Sequence, residues 1–134
     1  MSSSDFEVVH TIIDWYDGAR AGIADLAGKP HYYESQFDDL KSNHSDTYLL
    51  RPLDEETFRF ALEDWDIWLR WEAAFHEGRT PHETHPALPE ERDRHEELAK
   101  VLAERLAVSP ETGIKAKGDF KYGKPTLVKW YVIP

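Results

Sequence analysis

A tryptophan-rich segment, residues 58–76, constrains this chain more than any other part of its sequence. The segment reads FRFALEDWDIWLRWEAAFH and holds three of the five tryptophans within seven residues. At about 100° per residue, its apolar side chains cover roughly 220° of a helix surface. The apolar stripe of an ordinary surface helix is only about 100° wide. The pattern therefore predicts a helix that contacts protein on two sides.

Two acids interrupt the apolar arc of this helix. Asp64 and Glu72 lie one turn before and one turn after Trp68. Because an unpaired buried charge is costly, each acid needs a partner or a raised pKa. Carboxylates in such surroundings are candidates for function, and the alternative is that they are structural. The cationic groups that could pair with them in that case are Arg20, Arg51 and His10.

The predicted elements run as strands, then helices, then strands. Segments in which apolar and polar residues alternate, or that are rich in β-branched and aromatic residues, predict strands at 6–16, 22–27, 31–37 and 46–51. The polar residues 38–46 predict a loop. Capping residues and prolines bound the two helices, and period-two alternation with a Gly-Lys-Pro turn predicts a C-terminal hairpin. Those later elements are helices from Glu55 to Glu77 and from about Glu90 to before Ser109, and strands at 114–122 and 126–133.

This order predicts an α+β fold in a single globular domain, residues 1–134, with residues 1–5 flexible. We expect an antiparallel sheet of about four N-terminal strands plus the C-terminal hairpin, with the two helices packed on one face. The length of 134 residues and the 40% of hydrophobic residues are enough for a substantial core.

Composition narrows the functional classes. The chain has no cysteine, which excludes disulfides, thiolate metal sites and a cysteine nucleophile. No signal peptide is visible and no apolar run approaches the roughly 20 residues of a membrane span, so we expect a cytoplasmic protein. The net charge is −10, which disfavours nonspecific contact with nucleic acid and with anionic membrane, so we expect no membrane partner.

The C-terminal lysines alternate with aromatic residues and allow two interpretations. Lys115, Lys117, Lys121 and Lys129 lie among Phe120, Tyr122, Trp130 and Tyr131. Basic residues beside aromatic platforms hold single-stranded nucleic acid, but lysines also protect the edge of a sheet against aggregation. Since the rest of the chain is acidic, we favour edge protection and expect no nucleic-acid partner.

Histidines raise two further possibilities. His82 and His85 stand between prolines without the helical His-Glu-x-x-His pattern, so we expect a polar loop, no metal and no cofactor. His31 could act as a general base oriented by a carboxylate, and Glu34 is close to it in sequence. Without a nucleophile motif nearby, the two are also ordinary residues of a strand, and no catalytic residue is assigned.

Several segments together resemble a group of small acidic bacterial proteins of unknown function. They are WYDGAR-x-GIAD (15–25), G-x-PH-x-YE (28–34), LEDW-x-IW-x-RWEAAFH (62–76) and HPALP (85–89). The resemblance implies no activity and no site residue.

Two functions remain open at this stage. The first is an interaction module that works through an acidic or aromatic surface, with a protein partner or a second copy of the chain. The second is a small-ligand-binding protein or enzyme with a pocket between the sheet and the aromatic helix. The polar and aromatic residues proposed for that pocket are Asp64, Glu72, His31, Glu34, Arg20 and Trp68.

Overall fold

The chain divides into two compact units. One comprises Met1–Asp54 and Val108–Pro134, and the other comprises Glu55–Ala107. The computed structural model describes residues 6–15, 18–38, 43–106 and 112–134, with the backbone alone at 37–38 and 43–46. The sequence predictions for residues 1–5 and for the end of the first strand at Tyr16 lie outside the described residues.

The first unit is a closed antiparallel barrel of six strands. The strands, in chain order, are β1 (Phe6–Trp15), β2 (Ala19–Leu26), β3 (Lys29–Asp38), β4 (Asn43–Pro52), β5 (Ile114–Lys121) and β6 (Leu127–Val132). Each strand pairs with the next one in the chain, and β6 pairs back to β1. That last pairing, between Phe6–Val8 and Leu127–Lys129, closes the sheet.

The prediction of an open sheet with two helices packed on one face is wrong. The strands themselves are confirmed, although β4 begins at Asn43 and pairs with β3 in the region predicted as a loop. Alternation of apolar and polar residues gives a strand one buried and one solvent-exposed face, both in an open sheet and in a barrel. Closure depends on the pairing of strands from opposite ends of the chain, and no local pattern records such a match.

Four aromatic rings fill the middle of the barrel. Tyr33, Tyr48, Phe120 and Trp130 pack against one another with ring centroids 5.4–5.8 Å apart, mostly edge-to-face or tilted. Such pairs contribute about 0.5–1.5 kcal/mol each beyond the burial of their area. Small residues on the facing strands make room for the rings, namely Ala19, Ala24, Ala116 and Gly118. Side chains therefore occupy the interior, as in other small barrels.

The polar ends of these rings are satisfied by the backbone of β1 and β2. Tyr33 Oη donates to the backbone carbonyl oxygen of Thr11 (3.3 Å), and Tyr48 Oη donates to that of Ala19 (2.8 Å). Trp130 Nε1 donates to the backbone carbonyl oxygen of Asp25 (3.1 Å). Burial raises the pKa of the Tyr33 hydroxyl well above its ordinary value, so the group stays a donor. These bonds tie β3, β4 and β6 to β1 and β2 across the interior.

The second unit contains the two predicted helices. Helix α1 spans Glu55–His76 and α2 spans Arg92–Arg105, with short 3-10 turns at His82–Thr84 and Pro89–Glu91. Helix α1 begins directly after Asp54 with two glutamates in its first turn, which suits the positive end of a helix. It ends before Gly78, whose φ of +75° is the left-handed conformation common after helices.

The aromatic helix is less enclosed than its sequence predicts. Trp71 is only 5% exposed, but Leu69 and Phe75 reach 40% and 36%. Trp65 and Trp68 are half-buried and stack on each other at 5.0 Å. Two of the three tryptophans therefore gain much of their packing from each other within one helix turn.

Gly22 provides a test of the barrel interior. A Cβ at this position would lie 2.2 Å from the Thr11 carbonyl oxygen and 2.8 Å from Tyr33 Oη. We expect Gly22→Ala to lower the free energy of unfolding by about 1–3 kcal/mol or more, because the backbone of β1 must move. Urea denaturation followed by circular dichroism measures the change.

Gly123→Ala is the matched control for this substitution. Its Cβ would meet only the Pro125 carbonyl oxygen, at an ordinary 3.8 Å. Equal stabilities of the two variants would contradict the close approach of β1 and β2.

Candidate functional site

Asp64, one of the two acids predicted to be unusual, has a histidine partner. Its Oδ1 lies 2.6 Å from His95 Nδ1, and each side chain is about one-fifth exposed (21% and 20%). The carboxylate can hold the imidazole with a proton on Nδ1, which leaves Nε2 as an acceptor. Within the described residues Nε2 makes no hydrogen bond. The pair thus has the chemistry of an oriented base, but no nucleophile is bonded to it.

A row of ion pairs between the same helices surrounds this pair. Glu63 accepts two hydrogen bonds from Arg94, at 2.6 and 2.8 Å. A further pair along the row joins Arg105 to Glu56 (2.7 Å), and Arg70 pairs with Glu91 in the 3-10 turn directly before α2. Because Asp64 and His95 continue that row, their contact is sufficiently explained as one of the links between α1 and α2. The partner differs from the three that the sequence suggested.

The other two candidates on α1 have no such partner. Glu72 is half-buried and forms no hydrogen bond or ion pair with the residues that the structure describes. Trp68 stacks on Trp65. The two acids on either side of Trp68 therefore differ in kind, since only Asp64 is held by a side chain.

The three candidates in the barrel lie on two strands, and the pleat of β3 separates His31 from Glu34. His31 is buried on the same side as the core residue Tyr33, and its Nδ1 donates to the Lys29 carbonyl oxygen at 2.8 Å. Glu34 lies on the opposite face. The structure therefore does not bring the two together as a base and its orienting acid. Arg20 is half-buried in β2, one residue before the partner of Glu34.

Glu34 instead binds a neighbouring tyrosine. Tyr32 Oη donates to Glu34 Oε1 at 2.9 Å. Burial, together with the negative charges of Glu34 and Asp14, raises the pKa of Tyr32 well above its ordinary value. Tyr32 therefore keeps its proton and serves as a hydrogen-bond donor at neutral pH.

The histidine-rich loop packs on the aromatic helix. The rings of His82 and His85 lie 6.3 and 4.6 Å from the ring of Trp71, and Trp71 Nε1 donates to Thr84 Oγ1 at 2.8 Å. In the described part of the chain, no three histidine, aspartate or glutamate side chains converge as metal ligands. This loop is therefore best explained by its contacts with Trp71.

A basic and aromatic surface lies on the outside of the barrel. On β5 and β6 the core residues alternate with side chains that point outward, and Phe6 of β1 pairs with one of them, Lys129. The outward set is called here the lysine–aromatic face, and its members are Phe6, Lys115, Lys117, Asp119, Lys121, Leu127, Lys129 and Tyr131. Its two rings are well exposed, Phe6 by 39% and Tyr131 by 50%.

Each ring of this face has a lysine beside it. Lys121 Nζ lies 5.9 Å from the centre of the Phe6 ring, and Lys129 Nζ lies 5.3 Å from that of Tyr131. The acid of the face is Asp119, which is exposed and pairs across the strands with Lys129. Aromatic surface and positive charge are therefore combined within a few strand positions.

The closed barrel removes the edge that these lysines were expected to protect. Lys117 pairs with Thr47 on one side and with Tyr131 on the other. Lys129 likewise pairs with Asp119 on one side and with Phe6 on the other. Protection of an open edge therefore does not explain Lys117 and Lys129, and for them that interpretation is wrong.

The sequence pattern revealed only part of this face. The alternation of lysine with apolar residues in the last strands is visible in the sequence, but the membership of Phe6 is not. The signal that could have pointed to it is that β1 has apolar residues on both faces, a pattern typical of a strand with neighbours on both sides.

Comparisons with known proteins add no family to these observations. No family model, no curated protein and no solved structure matches this chain. The resemblance to small acidic bacterial proteins therefore stays a prediction. Within the described residues, neither helix has the length and apolar character needed to cross a membrane.

Paired amide substitutions test the two acids of α1. We expect Asp64→Asn to lower the free energy of unfolding by about 1–3 kcal/mol, because a charge-assisted bond to a partly buried histidine is lost. Glu72→Gln is the matched control and should stay within about 0.5 kcal/mol of wild type. Thermal and urea unfolding measure both. A larger loss for Glu72→Gln would overturn the assignment.

The Glu63–Arg94 pair gives a pH-dependent prediction. The Arg94 guanidinium bonded to Glu63 lowers the pKa of that carboxyl from its ordinary 4.5. A lowered folded-state pKa gives stability that is present above the unfolded-state pKa and lost as pH falls through the folded-state value. Glu63→Gln should therefore be less stable than wild type at pH 7, and the difference should be small because solvent screens this exposed pair.

The difference between Glu63→Gln and wild type should shrink in acid, below the pKa of Glu63. Melting temperatures measured from pH 7 down to pH 3 follow it. Glu104→Gln, at an exposed position of α2, is the control and should not show this trend. A difference that is constant with pH would contradict the role of the ion pair.

Proposed function

We propose that this protein is a cytoplasmic binding module whose binding surface is the lysine–aromatic face of its barrel. The observation that carries the proposal is the exposure of Phe6 and Tyr131, each with a lysine beside its ring, on strands that have partners on both sides. Exposed aromatic side chains grouped with positive charge are typical of interaction sites.

The distribution of charge supports an anionic partner. Residues 112–134 hold five lysines and one acid, a charge of +4, whereas the whole chain carries −10 and the remainder therefore −14. Exposed charges separated by more than about 8–10 Å are largely screened at physiological salt. A local cluster of lysines can therefore attract an anion even though the chain as a whole is acidic.

The barrel interior supports a binding site on the outside. Tyr33, Tyr48, Phe120 and Trp130 pack against one another there, and the hydroxyls of both tyrosines bond to backbone carbonyls. A ligand inside would have to displace this cluster and leave those polar groups unpaired, which is costly. A ligand that binds to the outer face does not have to displace this cluster or break its hydrogen bonds.

The alternative of a small-ligand-binding protein or enzyme stays a prediction. The observation in its favour is the Asp64–His95 pair, since an oriented imidazole is a common general base. The same pair is sufficiently explained by the row of ion pairs between α1 and α2. We therefore favour the binding module.

Retention on immobilised heparin, an anionic polymer without aromatic groups, tests the binding surface. We expect wild type to bind at low salt and the double variant Lys117→Gln/Lys121→Gln to elute at lower salt, because both lost charges belong to the face. The control Lys29→Gln/Lys100→Gln removes two exposed lysines elsewhere, so both double variants have a net charge of −12 instead of −10.

The control should elute with wild type. Flow-through of wild type at low salt, or elution of the two double variants together, would contradict the proposed surface.

A further inference from the structure

We infer that the anionic partner of the lysine–aromatic face is single-stranded nucleic acid, an inference that rests on the proposed function. The face combines the two groups that such a ligand requires, ammonium groups for phosphates and exposed rings for bases. The sequence alone favoured edge protection because the rest of the chain is acidic, and the closed barrel leaves these strands without the open edge that this explanation requires.

The spacing of the two rings favours an extended strand. Phe6 pairs with Lys129, and Tyr131 lies two residues further along β6, so the rings are diagonal neighbours on one face. Such neighbouring residues are about 7–8 Å apart. Successive nucleotides along one strand of a duplex advance by only about 3.4 Å. Two bases stacked on these rings must therefore be separated from each other. A duplex keeps its bases paired and stacked and cannot supply them.

The lysines now beside the rings do not block a base. An exposed cation–π contact contributes about 0.5–1 kcal/mol, and stacking of a base on an aromatic side chain contributes about 1–3 kcal/mol. A base can therefore take the place of Lys121 or Lys129 over its ring. The ammonium group displaced from the ring remains close enough to bind the phosphate of the same nucleotide.

An acidic peptide satisfies the lysines but not the rings. Glutamate and aspartate side chains carry charge without a π-face, so they leave Phe6 and Tyr131 exposed to water. Nucleotides carry an aromatic base and a phosphate in every unit, which matches a face on which each ring has a lysine beside it. This comparison favours nucleic acid over an acidic protein.

Fluorescence anisotropy with three labelled probes tests the inference. The probes are an oligothymidylate of about 15 nucleotides, within the range of site sizes of one small nucleic-acid-binding barrel, a duplex of the same length, and a polyglutamate peptide. We expect the single strand to bind more tightly than the duplex and the peptide. The plot of log affinity against log salt concentration should have a negative slope, and this slope should become less steep by about 0.7 for each lysine removed from the face.

Ring substitutions separate stacking from simple charge attraction. Tyr131→Ala and Phe6→Ala should each weaken binding of the single strand by about 5- to 150-fold, while Tyr131→Phe keeps the ring and should bind as wild type does. Because Phe6 belongs to the pairs that close the barrel, circular dichroism checks that each variant is folded, and the half-exposed Tyr131 gives the decisive comparison. Asp119→Asn should strengthen binding, since it removes the acid beside Lys129.

The outcomes distinguish this inference from the proposed function. Binding of polyglutamate but not of the oligonucleotide, with the same dependence on Lys117 and Lys121, would overturn the inference and leave the binding module standing. Oligonucleotide binding unchanged in Tyr131→Ala, or equal for duplex and single strand, would also overturn it. No binding of heparin or of any probe would overturn both.

Discussion

The pairing of β1 with β6 is the interaction on which the rest of this structure depends. Only the segments Phe6–Val8 and Leu127–Lys129 form it, yet they join the two ends of the chain and turn a sheet into a barrel. Glu7, in the middle of the closing segment, also accepts hydrogen bonds from the backbone nitrogens of Ala27 (3.0 Å) and Gly28 (2.7 Å). One short segment therefore closes the barrel and holds the turn between β2 and β3.

Closure also determines which residues are available for function. It encloses the rings of Tyr33, Tyr48 and Trp130, and their hydroxyl and indole groups bond to the backbone rather than to a ligand. Closure also places Phe6 beside Lys129 on the outer surface. The contrast between a satisfied interior and an exposed aromatic exterior is the physical reason for assigning binding to the outside.

Local features of the sequence predicted the elements well and their assembly poorly. The alternation around Phe120 and the glycine after the aromatic helix act over a few residues, so strands and helix ends could be located from them. Whether β1 meets β6 depends on residues far apart in the chain, and nothing in either segment alone records it. For the same reason Asp64 was recognised as unusual while its partner His95 was not. The role given to the lysines depended on the same missing pairing.

The position of the helical unit in the chain has a consequence for how this fold can vary. Residues 55–107 connect β4 to β5, and these strands are direct neighbours, with Leu50 opposite Ile114. In terms of connectivity, the helical unit thus occupies the place of a hairpin loop. The entropic cost of closing a loop grows only slowly with its length, so the strand order sets little limit on the size of this connection. The barrel can therefore keep its topology while the inserted segment lengthens, shortens or is exchanged for another.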